Sequence, residues 1–103
     1  SIAINAINYA KNKWNTSERI HILNCSMGEK GSDSAFKSAI ANYPGLFVNA
    51  AGNDNLDADK TSVYPGNYNL SNMIRVGAHS SNGEKRESSN YGSKNVDIFA
   101  PGS

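Results

Sequence analysis

Residues 20–52 read IHILNCSMGEKGSDSAFKSAIANYPGLFVNAAG, and this stretch decides the fold class. Residues 20–25 form a short, largely apolar run that predicts a buried strand. A helix should follow, because apolar side chains recur at the i, i+3, i+4, i+7 spacing of one helix face, at Phe36, Ala39, Ile40 and Tyr43. Pro44 and Gly45 end that helix, and the apolar run at residues 46–48 suits a strand covered on both faces. Two strands joined by a helix are most simply parallel, which predicts an α/β fold.

The segments around this unit predict its continuation. Apolar residues at spacings of three and four predict a helix at residues 2–13, which begins without a convincing cap. For the helix before Pro44, Ser32 and Ser34 are the candidate caps, and Asp33 lies near the positive end of the helix. The sequence thus predicts a helix on each side of the first strand.

The second half of the chain contains less regular structure. Residues 52–72 are rich in Gly, Asn, Asp and Ser and predict one long loop, and residues 73–78 predict a third strand. Asn82 and Gly83 give a strong hairpin-turn signal, and residues 96–99 form a last apolar segment. Neither end of the chain completes an element, so we expect residues 1–103 to be a fragment of a larger domain.

Composition excludes several classes of protein. A chain of 103 residues is long enough for one small domain only, and its net charge of +1 provides no strong field for nucleic acid or an anionic membrane. No apolar stretch is long enough to cross a bilayer, and no signal peptide is visible. The single cysteine, Cys25, excludes an internal disulfide framework and is interpreted as a small core residue.

The segments that follow the predicted strands are the informative ones. Ligands of open α/β sheets bind outside the carboxyl ends of the strands, and residues 24–28, 49–53 and 63–66 lie at or after such ends. Their small residues leave room for another backbone, such as that of an extended peptide. A pocket floored by alanine and glycine should be open and apolar, and it should therefore accept a large uncharged side chain.

Together these segments resemble the subtilisin family of serine proteases. The resemblance covers about residues 6–102 and rests on five motifs in the family's order: Ser26-Met27-Gly28, Ala50-Ala51-Gly52-Asn53, Tyr64-Pro65-Gly66, Val76-Gly77-Ala78 followed by Ser80 and Ser81, and Ala100-Pro101-Gly102. Any one motif is weak, but five in series are specific. The resemblance implies a three-layer α/β fold in which helices flank a parallel sheet, with only part of that domain present in residues 1–103.

The resemblance also implies roles for individual residues. Asn53 corresponds to the asparagine whose side-chain amide donates a hydrogen bond to the oxyanion of the tetrahedral intermediate. One wall of the substrate cleft would be formed by Ser26, Met27 and Gly28, and the other by Ala50, Ala51 and Gly52. Glu29 replaces a glycine common in the family, so it would narrow the site or favour basic residues at a neighbouring subsite. The proline corresponding to Pro65 follows a cis peptide bond in the family.

The catalytic triad is absent from these residues. In the family, the catalytic aspartate and histidine precede this region and the nucleophilic serine follows it, within a Gly-Thr-Ser-Met-Ala type of motif that residues 1–103 lack. His21 and His79 are interpreted as structural or surface histidines. The segment alone is therefore expected to be inactive as a serine endopeptidase.

Cofactors and partners follow from the resemblance alone. No cofactor is firmly implied, although a structural calcium ion is possible, because Asp97 falls where some members have a carboxylate near a weak cation site. Residues 69–72 lengthen the preceding loop and misalign the other expected ligands, so we assign no metal. The expected partners are a polypeptide substrate and the remainder of the catalytic domain, without nucleic acid or membrane. The family implies an extracellular location.

Two other functions remain open. A non-catalytic protein of the same fold could hold an extended peptide without cutting it, or act in regulation. An unrelated α/β module could instead bind a small anion with the loop at Gly52 and Asn53. That module would need a helix directly after the loop, and Asp54, Asp57 and Asp59 disfavour an anion.

Overall fold

The computed structural model describes all of residues 1–103 as two helices on a four-stranded parallel sheet. The elements are α1 (Ile2–Asn12), β1 (Ile22–Cys25), α2 (Ser34–Asn42), β2 (Leu46–Ala50), β3 (Met73–His79) and β4 (Ile98–Pro101). The strands lie in the order β1-β2-β3-β4, and every neighbouring pair is parallel. The α/β fold with a parallel sheet is thereby confirmed.

Both helices pack on one face of the sheet. The main core cluster joins Ile7 of α1 and Ile40 of α2 to Cys25, Phe47 and Met73, which lie on three successive strands. Phe47 is paired with Met73 in the parallel register, so the two side chains lie on the same face. Burial of Cys25 in this cluster agrees with its predicted role as a core residue. Residues 1–103 thus supply the sheet and one helical layer.

The prediction of a buried first strand is wrong. β1 lies at the edge of the sheet, where Ile22 is 58% exposed and Asn24 is exposed as well. The second strand is also less covered than expected, because its buried residues Phe47 and Asn49 alternate with half-buried Leu46 and Val48. An apolar run predicts a strand, but only its neighbours in the fold determine whether both faces are covered.

The helix caps also differ from the prediction. Ser1 caps α1 by accepting a hydrogen bond from the backbone N–H of Ile4, at 3.2 Å, so this helix does begin with a cap. Asp33, rather than Ser32 or Ser34, caps α2, and its Oδ1 accepts a hydrogen bond from the N–H of Ala35 at 2.9 Å. A carboxylate fits this position because it both accepts the free N–H and faces the positive end of the helix dipole.

The second half of the chain confirms the long loop and the turn. A 3₁₀ turn at Gly66–Tyr68 is the only helical turn between β2 and β3. The peptide bond between Tyr64 and Pro65 is cis, as the resemblance implied. The N–H of Gly83 donates to the carbonyl of Ser80 at 3.0 Å, which closes the predicted turn at residues 82–83.

The last apolar segment becomes a fourth strand, but with shifted bounds. β4 begins at Ile98 and ends at Pro101, two residues later at each end than the predicted segment at residues 96–99. Val96 is buried in a small separate cluster with Ala51 and Ala58. Proline is tolerated in β4 because it is an edge strand. Neither of the two helices is long and apolar enough to cross a membrane.

Candidate functional site

A cleft of about 320 Å³ opens at the carboxyl ends of β1 and β2. Its walls contain all but one of the residues predicted to form the site: Ser26, Met27, Gly28, Ala50, Gly52 and Asn53. Two segments that are more than twenty residues apart along the chain therefore meet at the sheet edge where ligands of α/β proteins bind. This is the location that the sequence analysis predicted.

Asn49 holds the first wall of the cleft against the sheet. This side chain lies on β2, is only 2% exposed, and donates from Nδ2 to the carbonyls of Cys25 and Met27, at 3.2 Å each. The sequence analysis did not identify this role, although a polar residue inside the apolar run Leu46–Ala51 was a usable signal. A buried amide needs hydrogen-bond partners, and these two carbonyls are its partners.

The far end of the same wall is held by a short antiparallel bridge. The N–H of Glu29 donates to the carbonyl of Tyr64 at 2.8 Å, and the N–H of Tyr64 donates back to Glu29 at 2.7 Å. Gly28 packs closely here, since a Cβ on it would lie 3.3 Å from Cγ1 of Val63. Residues 26–29 are thus extended and fixed at both ends, while their side chains remain exposed.

The second wall contains Asn53, whose side chain is exposed and makes no hydrogen bond within the chain. Its amide N–H groups are therefore available to a ligand in the cleft. Ala51 is the one predicted wall residue that does not line the cleft. Its side chain is buried with Ala58 and Val96 in the small cluster beside the sheet.

The chemistry of the cleft is more polar than alanine and glycine alone would make it. Charged side chains at Glu29, Lys30 and Asp54 also line it, together with the apolar Val63. The expectation of an open apolar pocket did not include these neighbours, because it considered only the residues of the matched motifs. Two carboxylates and one ammonium group leave the cleft slightly acidic.

Neither histidine contributes to this cleft. His21 precedes β1 and His79 is the last residue of β3, where its Nδ1 lies 2.7 Å from the carbonyl oxygen of Ser80. No helix begins directly after Asn53, since the first helical turn that follows β2 is the 3₁₀ turn at residues 66–68. The anion-binding alternative required such a helix, and it is therefore wrong.

The residues around Asp97 do not fit a cation. The guanidinium of Arg75, a side chain only 10% exposed, donates to both carboxylate oxygens of Asp97, at 2.8 and 2.9 Å. It also donates to the side-chain oxygen of Asn69 and to the carbonyls of Gly66 and Lys94. Both carboxylate oxygens of Asp97 are thus already hydrogen-bonded to a positive group, which would repel a cation. The hydrogen bonds that Arg75 donates to Asp97 hold the pKa of the Asp97 carboxyl below its usual range.

Comparison with known proteins gives one consistent family. The model described as the subtilase family matches residues 1–103. "Alkaline protease 1" of Aspergillus flavus is 37% identical over an alignment of 107 positions, which covers 99% of this chain and 25% of that protein. "Thermostable alkaline protease" of Halalkalibacterium halodurans is 34% identical over 93 residues, which span 87% of this chain and 24% of that protein. The chain therefore spans about a quarter of the length of these relatives.

A solved structure has the same arrangement of elements. A protease from Pseudoalteromonas arctica superposes with a TM-score of 0.79 at 31% sequence identity. The match covers 96% of this chain and 30% of that protein. The order and packing of the strands and helices are therefore those of a known protease fold, with less than a third of that chain represented.

Proposed function

This chain belongs to the subtilase family of peptidases, and we propose that it is the part of a serine endopeptidase that binds the substrate and supplies one oxyanion donor. The triad serine, histidine and aspartate would come from outside residues 1–103. The expected substrate is a polypeptide, which the extended segment at residues 26–29 would bind along its backbone.

The cleft at the ends of β1 and β2 is the observation that carries this proposal. It brings residues 26–28 together with Ala50, Gly52 and Asn53 into the lining of one opening, and the side-chain amide of Asn53 is exposed there. Residues 26–28 pair with no strand of the chain, so an extended peptide could align beside them. A turn-forming role for Asn53 would not require its amide to line a cleft.

Asn53 would act when charge develops on the scissile carbonyl. Attack of the serine hydroxyl on that carbon makes its oxygen negative, and a neutral N–H donor already in place stabilises the negative oxygen without reorganisation. A histidine would accept the serine proton and later transfer it to the leaving amine, and water would hydrolyse the acyl-enzyme. With the triad supplied from outside residues 1–103, the segment alone would not catalyse this sequence.

Substrate preference would depend on the charged rim of the cleft. Glu29 and Asp54 place two carboxylates there against the single ammonium of Lys30. We therefore expect a basic substrate residue beside the cleft to be accepted better than an acidic one. The primary pocket would take a large uncharged side chain between Gly28 and Ala50. The family membership supports an extracellular location for the complete protein.

The first test asks whether the complete natural protein is a serine hydrolase. A fluorophosphonate probe is added to the folded protein, and the modified residue is mapped by mass spectrometry. Labelling of one serine outside residues 1–103 is expected. No labelling of a demonstrably folded protein would favour a peptide-binding protein without catalysis.

The second test addresses Asn53 directly. Asn53→Ala in the complete protein should lower kcat by about a hundred- to thousand-fold, with little change in KM, because the lost hydrogen bond forms mainly in the transition state. That magnitude is taken from subtilisin itself, where removal of such a donor has this effect. Asn12→Ala, at an exposed asparagine of α1, is the matched control and should leave kcat unchanged. An unchanged kcat in Asn53→Ala would disprove the oxyanion role.

A further inference from the structure

Asn90 is a fully buried amide that bonds to the backbone on both sides of Asn53. It lies between β3 and β4 and is 0% exposed. Its Nδ2 donates to the carbonyl of Ala51 at 2.9 Å, while its Oδ1 accepts from the N–H groups of Asp54 and Leu56, at 3.0 and 2.9 Å. Every polar atom of this side chain is thus used to hold residues 51–56.

The backbone of Asn90 adds a fourth hydrogen bond to the same loop. Its N–H donates to the carbonyl of Gly52 at 2.9 Å. Residues 51, 52, 54 and 56 are therefore all bonded to Asn90, whereas the side chain of Asn53 is bonded to nothing in the chain. The position of Asn53 is consequently set through its neighbours.

Gly52 is required for this contact for two independent reasons. Its φ of +112° lies in the region that side chains rarely adopt. A Cβ on Gly52 would also collide with the side-chain nitrogen of Asn90. The glycine immediately before Asn53 thus provides both the backbone conformation and the space that Asn90 occupies.

Asn90 is itself fixed to the sheet. The preceding residue, Ser89, is 1% exposed, and its hydroxyl accepts a hydrogen bond from the N–H of Ala78 at 2.9 Å and donates to the carbonyl of Asn90 at 2.9 Å. Ala78 lies on β3, the strand next to β2. A continuous set of hydrogen bonds therefore runs from β3 through Ser89 and Asn90 to the loop that carries Asn53.

We propose that Asn90 is a positioning residue, which holds the loop at residues 51–56 so that the amide of Asn53 points to the oxyanion. This inference rests on the proposed function of Asn53. An oxyanion donor acts through its fixed placement, and small displacements reduce its effect. A carboxamide stays neutral and carries its donor and its acceptor on separate atoms, so one side chain can donate to Ala51 and accept from the N–H groups of Asp54 and Leu56.

The test uses the complete natural protein with two substitutions and a matched control. Asn90→Leu removes all the side-chain hydrogen bonds at similar volume, and the milder Asn90→Ser keeps a short hydroxyl in case the leucine variant does not fold. Asn72→Leu is the control, because Asn72 also bonds backbone carbonyls, those of Ile40 and Tyr43, but far from the cleft. Stability, kcat and KM are measured for each, with active sites counted by titration.

The kinetic result separates positioning from general destabilisation. Asn90→Leu should lower kcat by about tenfold or more, up to the loss caused by Asn53→Ala, with KM changed much less. In the Asn53→Ala background the same substitution should lower kcat by no more than about twofold, because the donor is already absent. An equal loss in both backgrounds, or an equal loss in Asn72→Leu, would overturn the proposal.

Hydrogen exchange gives a readout that does not depend on activity. The N–H groups of Asp54 and Leu56 should exchange faster in the Asn90 variants, while those of β2 and β3 should not change. Unchanged exchange at Asp54 and Leu56 would overturn the proposal even if kcat falls. If Asn53→Ala keeps full kcat, the oxyanion role fails and the positioning role fails with it, whereas faster exchange would still show that Asn90 holds the loop.

Discussion

Two regions of this chain, the loops of the cleft and the segments around Arg75, are held together by different kinds of polar contact. At the cleft, neutral carboxamides hold the loops: Asn49 fixes the wall at residues 26–28, and Asn90 fixes the loop at residues 51–56. Away from the cleft, charged groups do so, through the contact of Arg75 with Asp97 and through Asp59. Both regions connect segments that are distant in sequence, but only the second uses groups that titrate.

This difference has a physical consequence for the proposed role of the cleft. Buried amides keep their hydrogen bonds at every pH, and they place no fixed charge beside the site where a negative oxygen would form. The charged region is partly exposed, so its ion pair between Arg75 and Asp97 is screened by solvent and weakens in acid. The loops of the cleft should therefore keep their geometry over a wider pH range than the segments around Arg75.

The largest expected effect on stability comes from replacing a buried carboxamide beside the cleft with a charged group. Asn49→Asp would leave a buried carboxylate facing the carbonyls of Cys25 and Met27, so we expect the free energy of unfolding to fall by about 3–5 kcal/mol at neutral pH. Stability of this variant should increase as the pH falls, because burial raises the folded-state pKa of the new carboxyl and protonation restores a donor. Urea unfolding at several pH values measures this.

The neutral substitution Asn49→Leu is the control for that prediction. It also loses both hydrogen bonds, but its loss of stability should be the same at every pH because no titrating group is added. If Asn49→Asp and Asn49→Leu showed the same pH dependence, the proposed difference between the two regions would be wrong.

A smaller effect is expected from the charged region. Arg75→Met removes the hydrogen bonds to Asp97, Asn69, Gly66 and Lys94 and should lower the free energy of unfolding by about 2–3 kcal/mol. This value allows for solvent screening, since the Asp97 side chain is 37% exposed. Denaturant unfolding measures the loss, and Arg19→Met, at an exposed arginine, is the control. Equal losses in the two variants would contradict a specific role for Arg75.

The pH dependence of the same ion pair gives a weaker but more diagnostic signal. The folded-state pKa of Asp97 is lowered, so its contribution to stability is fully present above the pKa of an unfolded carboxyl and is lost as the pH falls through the lower folded value. The difference in unfolding free energy between the native protein and Asp97→Asn should be constant above about pH 5 and shrink below about pH 4. A difference that grows towards acid would contradict the assignment.

The smallest effect is expected at Asp59. This fully exposed carboxylate accepts hydrogen bonds from Ser93, Lys94 and Asn95, and the one from the Asn95 side chain lowers its pKa most. Asp59→Ala should therefore speed hydrogen exchange at the N–H of Asn95 without a measurable change in global stability. A large loss of global stability would show that exposed charges matter as much as buried amides here.

Much of the fold was predictable from local patterns. The apolar periodicity predicted α2, and the apolar runs at residues 20–25 and 46–48 predicted the strands on either side of it. The bounds of these two strands differ from the structure by only a few residues. The motifs at residues 26–28 and 50–53 were predicted to form one site, and the structure brings all of them except Ala51 to one cleft. The fold prediction succeeded because helix and strand spacing is a local property. The motif residues lie near one another because the carboxyl ends of parallel strands meet at one edge.

The residues that hold the site were not predictable in the same way. Asn90 lies in the run Ser88-Ser89-Asn90-Tyr91, which resembles an ordinary polar loop, and nothing nearby indicates that its partners are residues 51–56. Asp97 was considered as a carboxylate near a possible cation site, while in the structure it forms an ion pair with Arg75, twenty-two positions earlier. Such pairs depend on long-range packing that no spacing rule encodes.

The sequence by itself determined the order of the elements, the small residues at the strand ends and the position of Asn53, because each depends on the chemistry of a few adjacent residues. The tertiary structure decided which strands lie at the edges of the sheet and which oxygens the guanidinium of Arg75 contacts. It also decided that Asn90 forms hydrogen bonds to the loop that carries Asn53. The physical reason is that a buried polar group must find a partner wherever the fold places one, and that partner is often far away along the chain.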